Sequence, residues 1–427
     1  MLSDEVIEKV TERLVRRIEQ GNEYVLEQIG KSVKKIGTLS PSKAQQLVQI
    51  MKYGGDYDKI VKKLAEITKL NQRDIKKIFQ EVAKSDYEFA KQFYDYRGKK
   101  YIPYEQNTTL KNQVDLLTNQ MIDDYISKTK SIGFSIKDNK GNVIFQTLEK
   151  TYQDSIDKAI ISISQGKTTF DAEMYAMLKE LGSSGIKTLD YASGRTLRLD
   201  SAIRMIAKDS LRQLHNEEQR IFGEQFGSNM VEVSHHSNSA PDHIDTIDGK
   251  QFARIDVIKK QIKKGEEKEI KLSDIDGNRV KVKGKWYNDF DSINNNLVRP
   301  VSTLNCYHDT FEGILGITQP EFTQEELNAD KEKNLAGFDY EGKHYTMYEG
   351  TQLQRKLETE IRKQKDIQII GKAGDNKELI VEAQSNITTL TNKYKELSKA
   401  SGLPTKMDRM RVSGYKRVAK SKLVWYT

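Results

Sequence analysis

Hydrophobic positions in the first half of the chain recur at helical spacing. Leu2, Val6, Val10, Leu14 and Ile18 fall every four residues and predict one buried stripe. Ser40-Pro41 sets a capping hydroxyl before a proline at the first helical position, with Leu47, Ile50 and Met51 as the face that follows. Ile60, Val61, Leu64 and Ile67 make the next stripe. Asn71 then reads as the N-cap of a separate helix carrying Ile75, Ile78, Phe79 and Val82. Leu110, Val114, Leu117, Met121 and Tyr125 form another. The period changes at 133–146, GFSIKDNKGNVIFQ, where Phe134 and Ile136, a polar turn, and Val143 and Phe145 predict a hairpin. Helical spacing returns in Tyr152, Ile156, Ile160 and Ile163. Phe170, Met174, Met177, Leu178 and Leu181 follow in a helix expected to stop at Gly182, and a long helix then runs from Leu199 toward Phe226.

Near residue 230 the texture changes again. Val231-Glu232-Val233 reads as a short strand, followed by the polar loop SHHSNSAPDHIDTIDGK at 234–250. A charged stretch covers 259–271, and Asp276-Gly277 marks a turn between two strands. From 323 onward the pattern is helical, with stripes at Leu353, Leu357 and Ile361 and at Ile380, Ala383, Ile387, Leu390, Tyr394 and Leu397. The fold class expected is mainly α with a small α+β module. An elongated helical N-terminal region is expected over 1–105, and a helical core with a small hairpin over 106–230. A compact strand and loop His-Cys module is expected over 231–318, with an insertion at 251–298, and C-terminal helices with a basic tail over 319–427.

Composition narrows the function. The 427 residues are 36% hydrophobic and 31% charged, enough apolar content for several small cores. A single cysteine excludes a disulfide-stapled domain. No run of 18 apolar residues exists, so no membrane-spanning helix is expected, and the acid-containing start MLSDEVIEKVTERLVRR predicts no signal peptide. The net charge of +8 is mild, but it is unevenly placed: 403–427 holds seven basic residues and one acid. The phosphate loop, the dinucleotide fingerprint, HExxH and GxSxG are all absent from the sequence, which argues against the enzymes built on them.

The candidate chemistry lies in two loops, 234–250 and 299–309. They gather four of the six histidines and the only cysteine: His235, His236, His243, His308 and Cys306. Asp242, Asp245, Asp248 and Asp309 accompany them. Imidazole and thiolate are borderline-soft donors that suit tetrahedral Zn²⁺. Cys306 and His308 alternate, so both side chains can share one side of an extended segment. His236 and His243 complete the four-ligand set expected for one Zn²⁺. The same residues also suit a loop network in which histidines hydrogen-bond to carboxylates or backbone. A metal nuclease, with a neutral histidine activating water, is the enzymatic alternative.

Two further segments stand out. DYASGRTLRLD at 190–200 reads as a helix-joining turn in which Thr196 or Asp200 caps the next helix, and Arg195, Arg198 and Arg204 meet carboxylates or phosphates. In the terminal segment Lys406, Arg409, Arg411, Lys416, Arg417, Lys420 and Lys422 alternate with apolar and aromatic residues. That composition suits phosphate neutralisation, docking on a partner protein, or a solvated tail.

These blocks resemble the type-2 minor capsid (minor head) proteins of tailed bacteriophages. DYASGRTLRLDSAIRM at 190–205, VEVSHHSNSAPDHIDTIDGK at 231–250 and Asn305-Cys306-Tyr307-His308 occur in the family's order. Asp190, Tyr191, Gly194, Arg195, Arg204, His236, Pro241, His243, Gly249, Lys250, Asn305, Cys306 and His308 fall on its motif positions. Departures are Ile247-Asp248 before the Gly-Lys, Ala240 before the motif proline, and Tyr307 where an arginine is common. The resemblance implies a non-enzymatic virion protein that associates with portal or major capsid protein, in the head interior or near the portal. It also implies a role in head assembly, DNA packaging or genome delivery, with double-stranded DNA met through the basic tail.

Overall fold

The computed structural model describes residues 4–38, 56–97, 100–138, 140–165, 167–189, 194–303 and 306–418. The helix start at Ser40-Pro41 lies outside them, as do Asp190, Tyr191, Asn305, Lys420 and Lys422. Helices dominate, with small antiparallel sheets between them. The chain divides into two compact units. One comprises Met1–Val10, Ile75–Met121 and Met205–Glu349; the other comprises Thr11–Asp74, Ile122–Arg204 and Gly350–Thr427.

In the second unit, α1 (Asp4–Gly37) buries Leu14 and Ile18 as its spacing predicts. The two helices expected to either side of Asn71 are one, α2 (Asp56–Arg97). Asn71 is no cap. It is fully buried mid-helix, donating to the Leu14 carbonyl (3.2 Å) and the Tyr125 hydroxyl (2.9 Å) and accepting from Arg17 (3.1 Å). Satisfied on both ends, its amide can stay inside a helix that its local preferences would otherwise break. After α3 (Thr108–Lys130), the expected hairpin forms as β1 (Ile132–Lys137) and β2 (Val143–Thr147). It belongs to a larger sheet of order β2-β1-β3-β4, with β3 at Lys187–Leu189 and β4 at Thr196–Arg198. Within the segment read as a helix-joining turn, residues 196–198 are instead strand β4, and Thr196 pairs with Leu189 of β3.

Helices α4 (Leu148–Gln165) and α5 (Lys167–Ser184) lie between these strands in sequence. Helix α5 passes Gly182 and ends two residues later. A Cβ at Gly182 would sit 2.6 Å from Ile367 Cα and 2.9 Å from Ile367 N. The glycine thus serves a close helix approach rather than a helix end. Helix α6 (Leu199–Phe226) spans the predicted range and buries Leu199, Ala202, Ile203, Ile206, Leu211 and Leu214.

The first unit holds the predicted strand as β5 (Met230–Val233), central in a three-stranded sheet between Gln251–Ala253 and Thr310–Gly313. Its side chains alternate between two cores, as a strand covered on both faces requires. Val231 and Val233 pack with Ile247, Phe252, Phe290 and Val301, whereas Met230 packs with Ile258, Val280 and Leu315. The short helix α7 is Pro241–Ile244, and β6 is Gln251–Ala253. The segment expected to be an insertion is folded: α8 (Ile255–Lys264) precedes the meander β7 (Ile275–Asp276), β8 (Arg279–Val282) and β9 (Lys285–Asn288), which includes the predicted Asp-Gly turn. Then come α9 (Phe290–Asn295) and β10 (Thr310–Gly313). Helix α10 (Gln324–Ala336) starts with a Thr323/Glu326 capping box and leads into a hairpin, β11 (Phe338–Tyr340) and β12 (Lys343–Tyr345), that helical spacing did not predict.

Helices α11 (Met347–Ala373) and α12 (Lys377–Ser401) follow. On α11 the expected stripe is only partly right. Ile361 is buried, but Leu353 and Leu357 are half-exposed, while Gln354, Glu358, Arg362, Asp366 and Gln368 are buried. Each of these polar groups has a partner, which makes their burial affordable in free-energy terms. Asp366 accepts from Arg198 (2.8 Å) and Asn22 (3.0 Å), and Arg362 Nε lies 3.2 Å from Asp200. Asp200 itself lies in the first turn of α6 and receives the Ser201 amide (2.8 Å) and Arg198 Nε (3.2 Å), so it is an ion-pair member rather than a cap.

Candidate metal centre

Three side chains converge in the first unit. Cys306 Sγ lies 3.4 Å from His308 Nδ1 and 3.7 Å from His243 Nδ1, and the two Nδ1 atoms are 3.2 Å apart. All three residues are buried, with exposures of 2–3%. Their positions follow from local sequence. Pro241 opens α7 at its first helical position, where its fixed φ suits the helix, and that turn carries His243 inward. Cys306 and His308 lie on the extended approach to β10, one residue apart and facing the same way. Between them, Tyr307 points elsewhere: its ring stacks against the guanidinium of buried Arg212 (5.2 Å), and its carbonyl accepts from Arg212 Nε (3.1 Å).

The outer ring nitrogens are also held. His308 Nε2 donates to Asp248 Oδ1 at 2.8 Å, and His243 Nε2 donates to the Arg299 carbonyl at 2.7 Å. A carboxylate and a carbonyl only accept, so both Nε2 atoms carry hydrogens. Asp248 is the hub of the loop: Ser239 Oγ (2.7 Å), the His236 backbone amide (2.9 Å) and His235 Nδ1 (2.6 Å) all reach it. Arg299 is steadied in turn by its ion pair with Asp242 (2.9 Å).

The charges follow from these contacts. Burial disfavours the Cys306 thiolate, but hydrogen bonds from His243 and His308 outweigh it and bring the thiol down to about 5. Burial likewise opposes a charged His308, but Asp248 and Cys306 outweigh it and raise the imidazole to about 9. Asp248, despite burial, is lowered to about 2 by His308, Ser239 and the His236 amide. His235 is raised because Asp330 and Asp248 accept from its two nitrogens against the cost of burial. The cluster thus gathers one sulfur whose thiolate form is favoured and two imidazole Nδ1 atoms, a donor set that suits a soft cation.

Of the four expected ligands, three are brought together. His236 stands beside the cluster with its ring centroid 5.0 Å from that of His308, but its Nε2 faces Ser234 Oγ at 3.3 Å. Among the described residues, the group whose donor atoms all lie within 4.8 Å of one another is His243, Cys306 and His308. The orienting groups Ser239, Arg299 and Asp330 were not singled out in the sequence. Of these, the Arg299 carbonyl has no side-chain signature that could have flagged it. Asp248 was visible only as one of four loop carboxylates.

The remaining motif positions serve the loop frame. Gly249 has φ 66°, and a Cβ there would fall 2.4 Å from Leu327 Cδ2 and 3.2 Å from His235 Cβ, so the turn behind His235 needs glycine. Lys250 donates to the Asp245 carbonyl, and its amine is lowered by burial. In the other unit, Arg204 pairs with Glu12, and Gly194 and Arg195 are exposed.

The basic C-terminal segment, as far as residue 418, is docked within its own unit. Leu403, Met410, Val412 and Val418 are buried. Arg362, Lys365 and Lys372 donate to the carbonyls of Arg409 (2.7 Å), Met410 (2.6 Å) and Lys416 (2.6 Å). The Val418 amide reaches Gln384 at 3.0 Å. Lys406, Arg411, Lys416 and Arg417 remain exposed on this strap.

No helix among the described residues is long and apolar enough to cross a membrane. No curated protein and no solved structure gives a significant match to the chain. Among protein families, phage minor capsid protein 2 matches residues 2–398, nearly the whole length, and includes every block described above up to the strap. The chain belongs to the phage minor capsid protein 2 family and is a structural phage protein.

Proposed function

We propose that this protein is a minor head component of a tailed-phage virion, held at the interior or portal-proximal side of the shell. There it binds portal or major capsid protein and aids head assembly, DNA packaging or genome delivery. The family match over residues 2–398 carries this reading. The strap adds a physical reason for proximity to DNA. Its apolar residues are buried, and its cations stand outward on an ordered backbone, so they can neutralise phosphates without the cost of ordering a free tail. We read the protein as non-catalytic. The donor atoms of the His/Cys cluster belong to residues only 2–3% exposed, which favours a structural part over a nuclease centre that must admit a phosphodiester.

Mass spectrometry of purified particles and proheads, with crosslinking, tests this. The expected result is the protein in particles, crosslinked to portal or major capsid protein. Its absence from both particles and proheads overturns the proposal. Plasmid incubated with the protein and Mg²⁺, Mn²⁺ or Zn²⁺ is expected to stay intact, and nicking would establish the nuclease alternative.

A further inference from the structure

We infer that His243 Nδ1, His308 Nδ1 and Cys306 Sγ bind one Zn²⁺ as a buried structural clip, with His236 outside the coordination shell. Zn–N bonds of about 2.0–2.1 Å and a Zn–S bond of about 2.3 Å at tetrahedral angles separate ligand atoms by about 3.3–3.6 Å. The separations here are 3.2, 3.4 and 3.7 Å, so one ion fits between the three atoms with little movement.

The hydrogen bonds fix the chemistry independently of these distances. Each Nε2 donates outward, to Asp248 and to the Arg299 carbonyl, so in the neutral imidazoles both Nδ1 lone pairs point inward at each other and at the sulfur. Acceptors facing one another need a shared proton or a cation between them. A carboxylate or carbonyl behind each ligating histidine is the arrangement that orients metal-bound imidazole and strengthens it as a donor. Two nitrogens and one sulfur suit Zn²⁺ over the hard oxygen-seeking cations. On binding, the ion forms one Zn–S and two Zn–N bonds, and the proton shared by Cys306 and His308 passes to solvent. Among the described residues no fourth histidine, thiol or carboxylate offers an atom this close to all three, so these three side chains are the ligand set assigned.

The ion would tie the 234–250 loop to the approach of β10, joining segments more than 60 residues apart in sequence. This inference does not depend on the virion role, because metal content is measured on the isolated chain.

Elemental analysis of the purified full chain is expected to give about one Zn²⁺ per molecule. Reconstitution with Co²⁺ is expected to give the intense visible bands of tetrahedral cobalt and a thiolate-to-cobalt charge-transfer band in the near ultraviolet. Cys306→Ser should lose the charge-transfer band. His236→Ala should keep about one metal per chain. Asp248→Asn should weaken Zn²⁺ about 10–100-fold in chelator competition, with the fold confirmed by circular dichroism. Folded wild-type protein that holds no Zn²⁺ or Co²⁺ overturns the inference, as does a cobalt complex without the thiolate band. Loss of metal from folded His236→Ala overturns the three-donor assignment.

Discussion

Arg198→Met removes the cation at the centre of a buried ion network. In the native chain, Arg198 Nη2 lies 2.8 Å from Asp366 Oδ2, and Nε lies 3.2 Å from Asp200 Oδ1. Asp366 is fully buried, and its carboxyl is raised by desolvation despite the guanidinium. Asp200 is held below the usual carboxylate range because Arg198 and Arg362 together outweigh its burial. The network is two arginines against two aspartates, so removing one arginine leaves an uncompensated charge. Asp366 would keep Asn22 as a donor, and Asp200 would keep Arg362 and the Ser201 amide and hydroxyl. Breaking a buried pair from one side costs about 3–5 kcal/mol. At about 1.36 kcal/mol per decade, that is roughly two to three and a half decades in a local opening equilibrium. Hydrogen exchange read by mass spectrometry on peptides covering β4 and the middle of α11 should accelerate by that factor. Arg198→Met/Asp366→Asn should recover at least half of the loss, because the stranded charge is gone. Acceleration of less than tenfold in the single variant, or no recovery in the double, would refute the account of the network as a set of mutually required charges.

Gly182→Ala places a methyl 2.6 Å from Ile367 Cα, so the two helices must separate; a loss of about 1–3 kcal/mol in thermal unfolding is expected, and unchanged stability would show that the contact is loose. Glu19 is raised from 4.5 to about 8, first by burial and then by Asp200. The unfolded chain gives up this proton first, so stability should fall as pH rises from about 4.5 through about 8; Glu19→Gln should flatten that part of the pH–stability curve, and an unchanged slope would count against the shift. For the strap, Lys416→Ala/Arg417→Ala should reduce the slope of log K against log salt for duplex DNA by about 2, and a slope equal to wild type would remove these residues from the DNA contact.

Local periodicity made the helices and the first hairpin legible. Leu199 to Phe226 reads as one helix because apolar residues recur at helical spacing without a break over that length. The segments that misled are those settled by distant partners. Asn71 looks like a cap because asparagine prefers caps, but the Leu14 carbonyl and Tyr125 hydroxyl occupy its amide. The polar face of α11 could not be read as buried, since Asp366 is matched by an arginine 168 residues earlier. Strands β3 and β4 have three residues each, too short to show a period of two. At the candidate metal centre, residue type and alternation pointed to Cys306, His308 and His243. His236 was included because it lies seven residues from His243 across Pro241, in a loop that could fold back to supply both. Its backbone amide is committed to Asp248, and its ring nitrogen faces Ser234 rather than the cluster.

The chain leaves the central sheet after Ala253 and comes back to it at Asp289, where the two residues form a parallel bridge. The chain therefore goes out and comes back through one doorway. Whatever happens at the far end of that excursion need not alter the path of the segments that carry His243, Cys306 and His308. The tip at Asp276-Gly277 is exposed, and a Cβ added at Gly277 would meet nothing within 4 Å. A short epitope spliced there would ride outside the folded body, a handle for antibody capture of the protein that leaves the cluster's surroundings untouched.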